Sequence, residues 1–225
     1  MKFSGLQKTS LIDYPDKVAS VLFTPSCNLR CPFCHNWRIV IDPKPPFLQD
    51  SDALDILERR KKYIDAVVIT GGEPCMHKEL PQFLAKLKDK GFQTKLDTNG
   101  FFPEMIKKCL LFLDYIATDI KTSPDKYPKL GNMEISKLIK TIDILKKSKV
   151  NYEFRITVVP RLITKEDLTV IGQLLRGSKK LVLQQFVPND TLDKEYENLK
   201  PYSLDKIEKF AEIMRKYVKN TSVRL

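Results

Sequence analysis

Six short runs rich in β-branched and aromatic residues alternate with six longer amphipathic runs, and this alternation narrows the possible folds more than anything else in the chain. Val18–Thr24, Ala66–Thr70, Gln93–Asp97, Tyr115–Asp119, Tyr152–Val159 and Leu181–Val187 read as strands. Ser51–Lys62, Glu79–Lys90, Pro103–Leu110, Ile135–Lys149, Lys165–Arg176 and Ser203–Lys219 carry apolar residues at helical spacing. Ser51 and Ser203 are expected N-caps, and Gly91 and Gly177 expected helix stops. Repeated strand–helix units with right-handed crossovers imply an α/β fold with a parallel sheet, as an open barrel or doubly wound. At 225 residues the chain reads as one domain, 1–225. The Pro-rich stretch Ile41–Phe47 reads as a rigid spacer before the first helix.

In such folds the active site assembles at the C-terminal ends of the strands. The polar segments of this chain fall at those ends. After the second strand comes Gly71-Gly72-Glu73-Pro74, and after the third Asp97-Thr98-Asn99-Gly100. The fourth strand ends at Asp119-Ile120-Lys121, and the fifth carries Arg155 and ends at Val158 and Val159. GGEP is either a plain turn or a place where backbone closely approaches a ligand. Glu73 could accept from an ammonium group, and Lys121 and Arg155 could grip a carboxylate, Arg155 in a fork. Asp97 and Asp119 could equally cap helices, and TNG could be only a turn. Asp97, Thr98 and Asp119 also have the oxygen chemistry of a small-cation site.

After the first strand stand Cys27, Cys31 and Cys34, spaced C-x3-C-x2-C. Three thiolates can hold three irons of a four-iron, four-sulfur (4Fe-4S) cluster and leave the fourth iron open for chemistry, where an electron-transfer cluster takes four. A zinc site using His35 is the other reading, although no second ligand pair follows along the chain. A disulfide framework does not suit a chain of this length with 5 cysteines and no signal sequence. Cys109 is expected in the core, Cys75 packed in its turn, and His77 in a surface or turn position.

The net charge of +11 comes from lysines scattered over helix faces, such as Lys86, Lys88, Lys90, Lys107 and Lys108. A nucleic-acid surface would concentrate cations among exposed aromatics, and no such block is present. A solvated surface, an acidic protein partner or an acidic electron carrier fits the charge. The rival non-enzymatic reading, a metal-binding module on nucleic acid, leaves the strand-end residues unexplained. No apolar run approaches a membrane span, so no membrane partner and a cytoplasmic location are expected.

With both motifs placed, the chain resembles the radical S-adenosylmethionine (SAM) enzymes. CNLRCPFC supplies Cys27, Cys31, Phe33 and Cys34, and GGEP follows on the next strand. The resemblance implies a partial (β/α)6 TIM-like barrel enclosing a 4Fe-4S cluster and SAM. Within that group the chain is most similar to activating proteins of anaerobic ribonucleoside-triphosphate reductase, through SLIDYPDKVASVLFTPSCNLRCPFCHNW. Activating enzymes of pyruvate formate-lyase have DGPG where Asp13-Tyr14-Pro15-Asp16 stand here, and tend to carry a sixth-strand histidine that Leu183–Pro188 lacks. The small 7-carboxy-7-deazaguanine synthases, which use a pterin and Mg²⁺, are a further similar group.

The resemblance implies that Cys27, Cys31 and Cys34 bind the cluster. It implies that Phe33, Gly71, Gly72, Glu73, Pro74, Asp97, Thr98, Asn99, Asp119, Lys121, Arg155 and Val158 surround SAM. An electron from flavodoxin or ferredoxin would then cleave SAM, and the resulting 5′-deoxyadenosyl radical would take hydrogen from a glycine Cα of the partner enzyme.

Overall fold

Strands with both faces buried carry this fold, and they are those richest in β-branched and aliphatic residues. The computed structural model describes residues 1–131 and 134–225 and sorts them into two compact units. One comprises Met1–Asn28, Asn36–Thr98 and Glu104–Ile116; the other comprises Leu29–His35, Asn99–Pro103 and Ala117–Leu225.

The first unit contains β1 (Lys2–Phe3), β2 (Gly5–Ser10), β3 (Ala19–Thr24), α1 (Trp37–Ile41), β4 (Leu48–Gln49), α2 (Asp50–Arg60), β5 (Ala66–Gly71), α3 (Leu80–Asp89), β6 (Gln93–Thr98) and, from Glu104 onward, α4 (Pro103–Cys109). β3 and β5 run parallel, from Ala19 opposite Ala66 to Thr24 opposite Gly71. β5 and β6 continue in parallel, from Ala66 opposite Gln93. Ala19–Leu22 and Ala66–Ile69 are buried, so both faces of β3 and β5 are covered over most of their length. β2 pairs antiparallel with β3, and β1 with β4.

β7 (Tyr115–Asp119) leads into the second unit, with α5 (Pro128–Gly131), α6 (Ile135–Lys147), β8 (Asn151–Thr157), α7 (Lys165–Leu175), β9 (Leu181–Gln184), α8 (Leu204–Arg215) and β10 (Thr221–Arg224). β8, β9 and β10 are parallel neighbours. The exit of β7 lies beside β8, where the Ile120 amide donates to the Arg155 carbonyl at 2.8 Å. Among the described residues, no helix is long and apolar enough to cross a membrane.

The α/β reading with parallel strands holds. All six expected strands and all six long helices are present, with ends displaced by a few residues. β8 stops at Thr157 because the chain turns there: the Val159 amide donates to the Thr157 carbonyl and the Val158 amide to Gln184. Ser203 does cap α8, accepting from the Lys206 amide. Ser51 does not cap α2. Pairing of β4 with β1 brings the helix in earlier, at Asp50, with Gln49 at the N-cap. Gly91 and Gly177 adopt φ of 77° and 79° beyond their helices, as stops should. The best cap in the chain passed unnoticed in sequence: Thr164 and Asp167 form a reciprocal capping box at α7.

Candidate active site

In the first unit, β3 delivers the chain to Cys27 through Pro25 and Ser26. Three consecutive carbonyls in this approach are held by one segment. The Gly72 amide donates to Thr24 O at 2.8 Å, the Glu73 amide to Ser26 O at 2.8 Å, and His77 Nε2 to Pro25 O at 3.1 Å. Ser26 takes a left-handed φ of 62°, and its amide donates to Ile39 O. Beyond the cysteines, Asn36 Nδ2 donates to Gly71 O at 2.9 Å. The two glycines have no room for a side chain. A Cβ on Gly72 would lie 1.8 Å from Ser26 O, and one on Gly71 2.5 Å from the Thr24 nitrogen. The close backbone approach expected of GGEP is therefore to the chain's own cysteine stem.

Glu73 is wholly buried. Its Oε1 accepts from the Cys75 amide at 2.9 Å and from Thr98 Oγ1 at 2.7 Å, which fixes the 3-10 turn Pro74–Met76. Asp97 accepts from Lys95 Nζ at 2.6 Å, with side chains only 9% and 2% exposed. Glu73 is thus the N-cap of that turn, and Asp97 gives an oxygen to Lys95 on its own strand. Burial, then the nearby charge of Glu73, pushes the Cys75 thiol well up, and the same causes push Cys109 up to about 12. Both are buried, as expected of packed thiols.

In the second unit, charge gathers at the ends of β7 and β8. Asp119 accepts from Arg155 Nε at 2.7 Å and from Lys121 Nζ at 3.0 Å. Burial alone would raise the Asp119 carboxyl, but Arg155 and Lys121 outweigh it and hold the group well below the usual carboxylate range. Burial alone would lower Lys121; Asp119 outweighs it and holds the ammonium above the usual lysine range. Lys121 Nζ stands 5.9 Å from the centre of the Phe33 ring, and the Lys121 amide donates to the Tyr127 hydroxyl.

The loop bearing Phe33 is tied down by its backbone: the Arg30 amide donates to Leu130 O, and Pro32 O accepts from the Asp193 amide. Asn99 Oδ1 accepts from the Phe101 amide, and Gly100 takes a φ of 83° where a Cβ would meet Leu138 and Thr118. Asn99–Gly100 is thus a built turn. The side chain of Val158 is fully buried.

The expected residues therefore fall into two groups. Cys27, Gly71, Gly72, Glu73, Pro74, Asp97 and Thr98 stand in the first unit; Cys31, Phe33, Cys34, Asn99, Asp119, Lys121, Arg155 and Val158 stand in the second. Lys95 and His77 are neighbours of these residues that sequence reasoning missed or passed over. One faint hint of the Lys95–Asp97 pair is that the two stand two positions apart on a strand, and so on one face.

The donor chemistry of residues 27–34 suits a 4Fe-4S cluster: three cysteines stand within eight positions of sequence, and none is in a disulfide. Among the described residues no three His, Cys, Asp or Glu side chains gather where one metal ion could sit. A four-iron cluster asks instead that each thiolate reach its own iron. His35, the nitrogen a zinc site would need, turns Nε2 to Val187 O at 3.0 Å.

The sequence pattern of the radical SAM superfamily matches residues 21–173. The chain belongs to that superfamily, and within it to the glycyl-radical enzyme activating enzymes. A "putative glycyl-radical enzyme activating enzyme" of Methanocaldococcus jannaschii is 34% identical, over 98% of this chain and 95% of that one. The pyruvate formate-lyase-activating enzyme of Clostridium pasteurianum is 26% identical, over 96% of this chain and 94% of that one. Among solved structures, Streptococcus suis SuiB bound to its precursor peptide SuiA aligns with a TM-score of 0.71 at 16% identity, over 91% of this chain. SuiB bound to SAM aligns at 0.69. The chain spans about half the length of SuiB, 48% and 52% in the two structures, and the likeness is one of fold.

Proposed function

We propose that this chain, acting as one radical SAM domain over residues 1–225, installs a glycyl radical on an anaerobic ribonucleoside-triphosphate reductase. The observation that carries the reading is the cysteine stem gripped by GGEP in a chain that matches a glycyl-radical activating enzyme along almost its full length. The reductase, rather than another glycyl-radical enzyme, is supported by the leader through Asp13-Tyr14-Pro15-Asp16 and by a sixth strand, Leu181–Gln184, without histidine. Flavodoxin or ferredoxin is the electron donor in this reading, consistent with the basic surface, and the setting is cytoplasmic.

Cys27, Cys31 and Cys34 would hold the cluster, which when bound supplies the electron that splits SAM. Asp119 aligns Arg155 and Lys121, and these two cations would recognise the carboxylate of SAM. Glu73 and Thr98, which keep GGEP rigid, would serve its amino group, Asp97 and Asn99 its ribose, and Phe33 and Val158 its adenine. No side chain is needed as a general acid or base. Formate-lyase-type activation is the second reading, favoured by the likeness to the C. pasteurianum enzyme.

The test is anaerobic reconstitution with iron and sulfide, then reduction with SAM and an anaerobic reductase, read by electron paramagnetic resonance. A glycyl-radical doublet, absent in Cys27→Ala, is expected. Free 5′-deoxyadenosine without a doublet would move the partner to formate-lyase type. Neither product from a fully loaded protein would overturn the activase reading.

A further inference from the structure

The approach to Cys27 is held by backbone amides and by one side chain. β3 ends at Thr24 and Ser26 turns left-handed, at a φ of 62°, so no regular strand ladder carries this stretch. The Gly72 and Glu73 amides take Thr24 O and Ser26 O. Pro25 O, between them, takes neither of those amides, while the N–H of the same peptide, that of Ser26, donates to Ile39 O at 2.8 Å. His77 reaches it. The turn Pro74–Met76, locked by Glu73 Oε1 and Thr98, carries His77 round so that Nε2 donates to Pro25 O at 3.1 Å. On the opposite stem Asn36 Nδ2 closes the same clamp on Gly71 O.

We infer that His77 is a positioning residue, whose hydrogen bond to Pro25 fixes the peptide leading into Cys27 and so sets where that thiolate meets iron. The inference rests on the reading that Cys27 is a cluster ligand. His77 itself touches neither SAM nor iron in this account.

The experiment compares His77→Phe, which keeps a flat ring without the donor, with His77→Gln, whose Nε2 can replace it. In protein without iron, amide hydrogen exchange over residues 24–28 should quicken about tenfold in H77F and return to within about threefold of wild type in H77Q, while β5 and β6 exchange unchanged. After anaerobic reconstitution, iron loss to a ferrous chelator should follow the same order, and the g-values of the reduced cluster should shift in H77F and return in H77Q. Wild-type exchange and wild-type iron retention in H77F would overturn the inference. Should H77F fail to fold, His77→Asn draws the donor back from Pro25 and should loosen the stem likewise; wild-type behaviour there would overturn it equally. A wild-type protein that takes up no cluster would instead break the activase reading, leaving the exchange comparison to judge the clamp alone.

Discussion

The stem of the cysteine loop and the ends of β7 and β8 solve one problem, fixing polar groups near a sheet edge, by opposite means. Around Cys27 the fixing is done by neutral hydrogen bonds and by glycines packed to contact distance against Thr24 and Ser26. At the end of β7 it is done by charge, with Asp119 held between Arg155 and Lys121 at 12–22% exposure. A latch of the first kind depends on shape and hardly on solution conditions. A cluster of the second kind depends on every member staying ionised. Under the proposed function, thiolates held in fixed geometry call for the first, and cations that meet a charged ligand call for the second.

The largest effect should come from Gly72→Ala, because its Cβ would overlap Ser26 O. A loss of about 3 kcal/mol is expected in chemical denaturation, with the cysteine stem displaced. A variant of near-wild-type stability would show the latch to be compliant and break the contrast. Asp119→Asn should cost less, about 2 kcal/mol, by leaving Arg155 and Lys121 without their anion. It should also weaken SAM binding in calorimetry, since the cations lose their alignment. Thr98→Val removes the hydroxyl that donates to buried Glu73 and should cost about 1 kcal/mol.

The smallest effect expected is with pH. Asp119 lies below its ordinary range, so its contribution is complete above about pH 4 and fades only as strong acid passes its folded value. Lys121 lies above its ordinary range, so its contribution is complete below about pH 10 and fades as pH rises beyond that. The stability gap between wild type and D119N should thus be flat from about pH 5 to 9. A slope within that window would show the cluster to be poorly coupled.

Much of this was legible in sequence wherever hydrophobic pattern decided the structure. β3 and β5 are aliphatic on both faces and stood out at once. β2, with Gln7, Lys8 and Thr9 exposed, pairs on only one side and has no such signature. β1 and β4 have two residues each and exist because each pairs with the other. α1 has five residues, fewer than two turns, so periodicity could not reveal it. At the site, residue types and strand ends were readable but partners were not. Lys121 and Arg155 read as cations awaiting a ligand, yet they share Asp119. His77 read as an ordinary turn residue because nothing local announces a bond to Pro25, 52 positions away. Lys95 gave little sign that its ammonium would be hidden with Asp97.

The five thiols are unequal in a way that bears on how the protein acquires its metal. Cys75 and Cys109 are buried, and that burial holds both thiols above their ordinary range. Of the remaining three, Cys27 and Cys34 are partly open to solvent and Cys31 is 7% exposed. In the proposed function, an incoming iron source would therefore find Cys27 and Cys34 more accessible than Cys31.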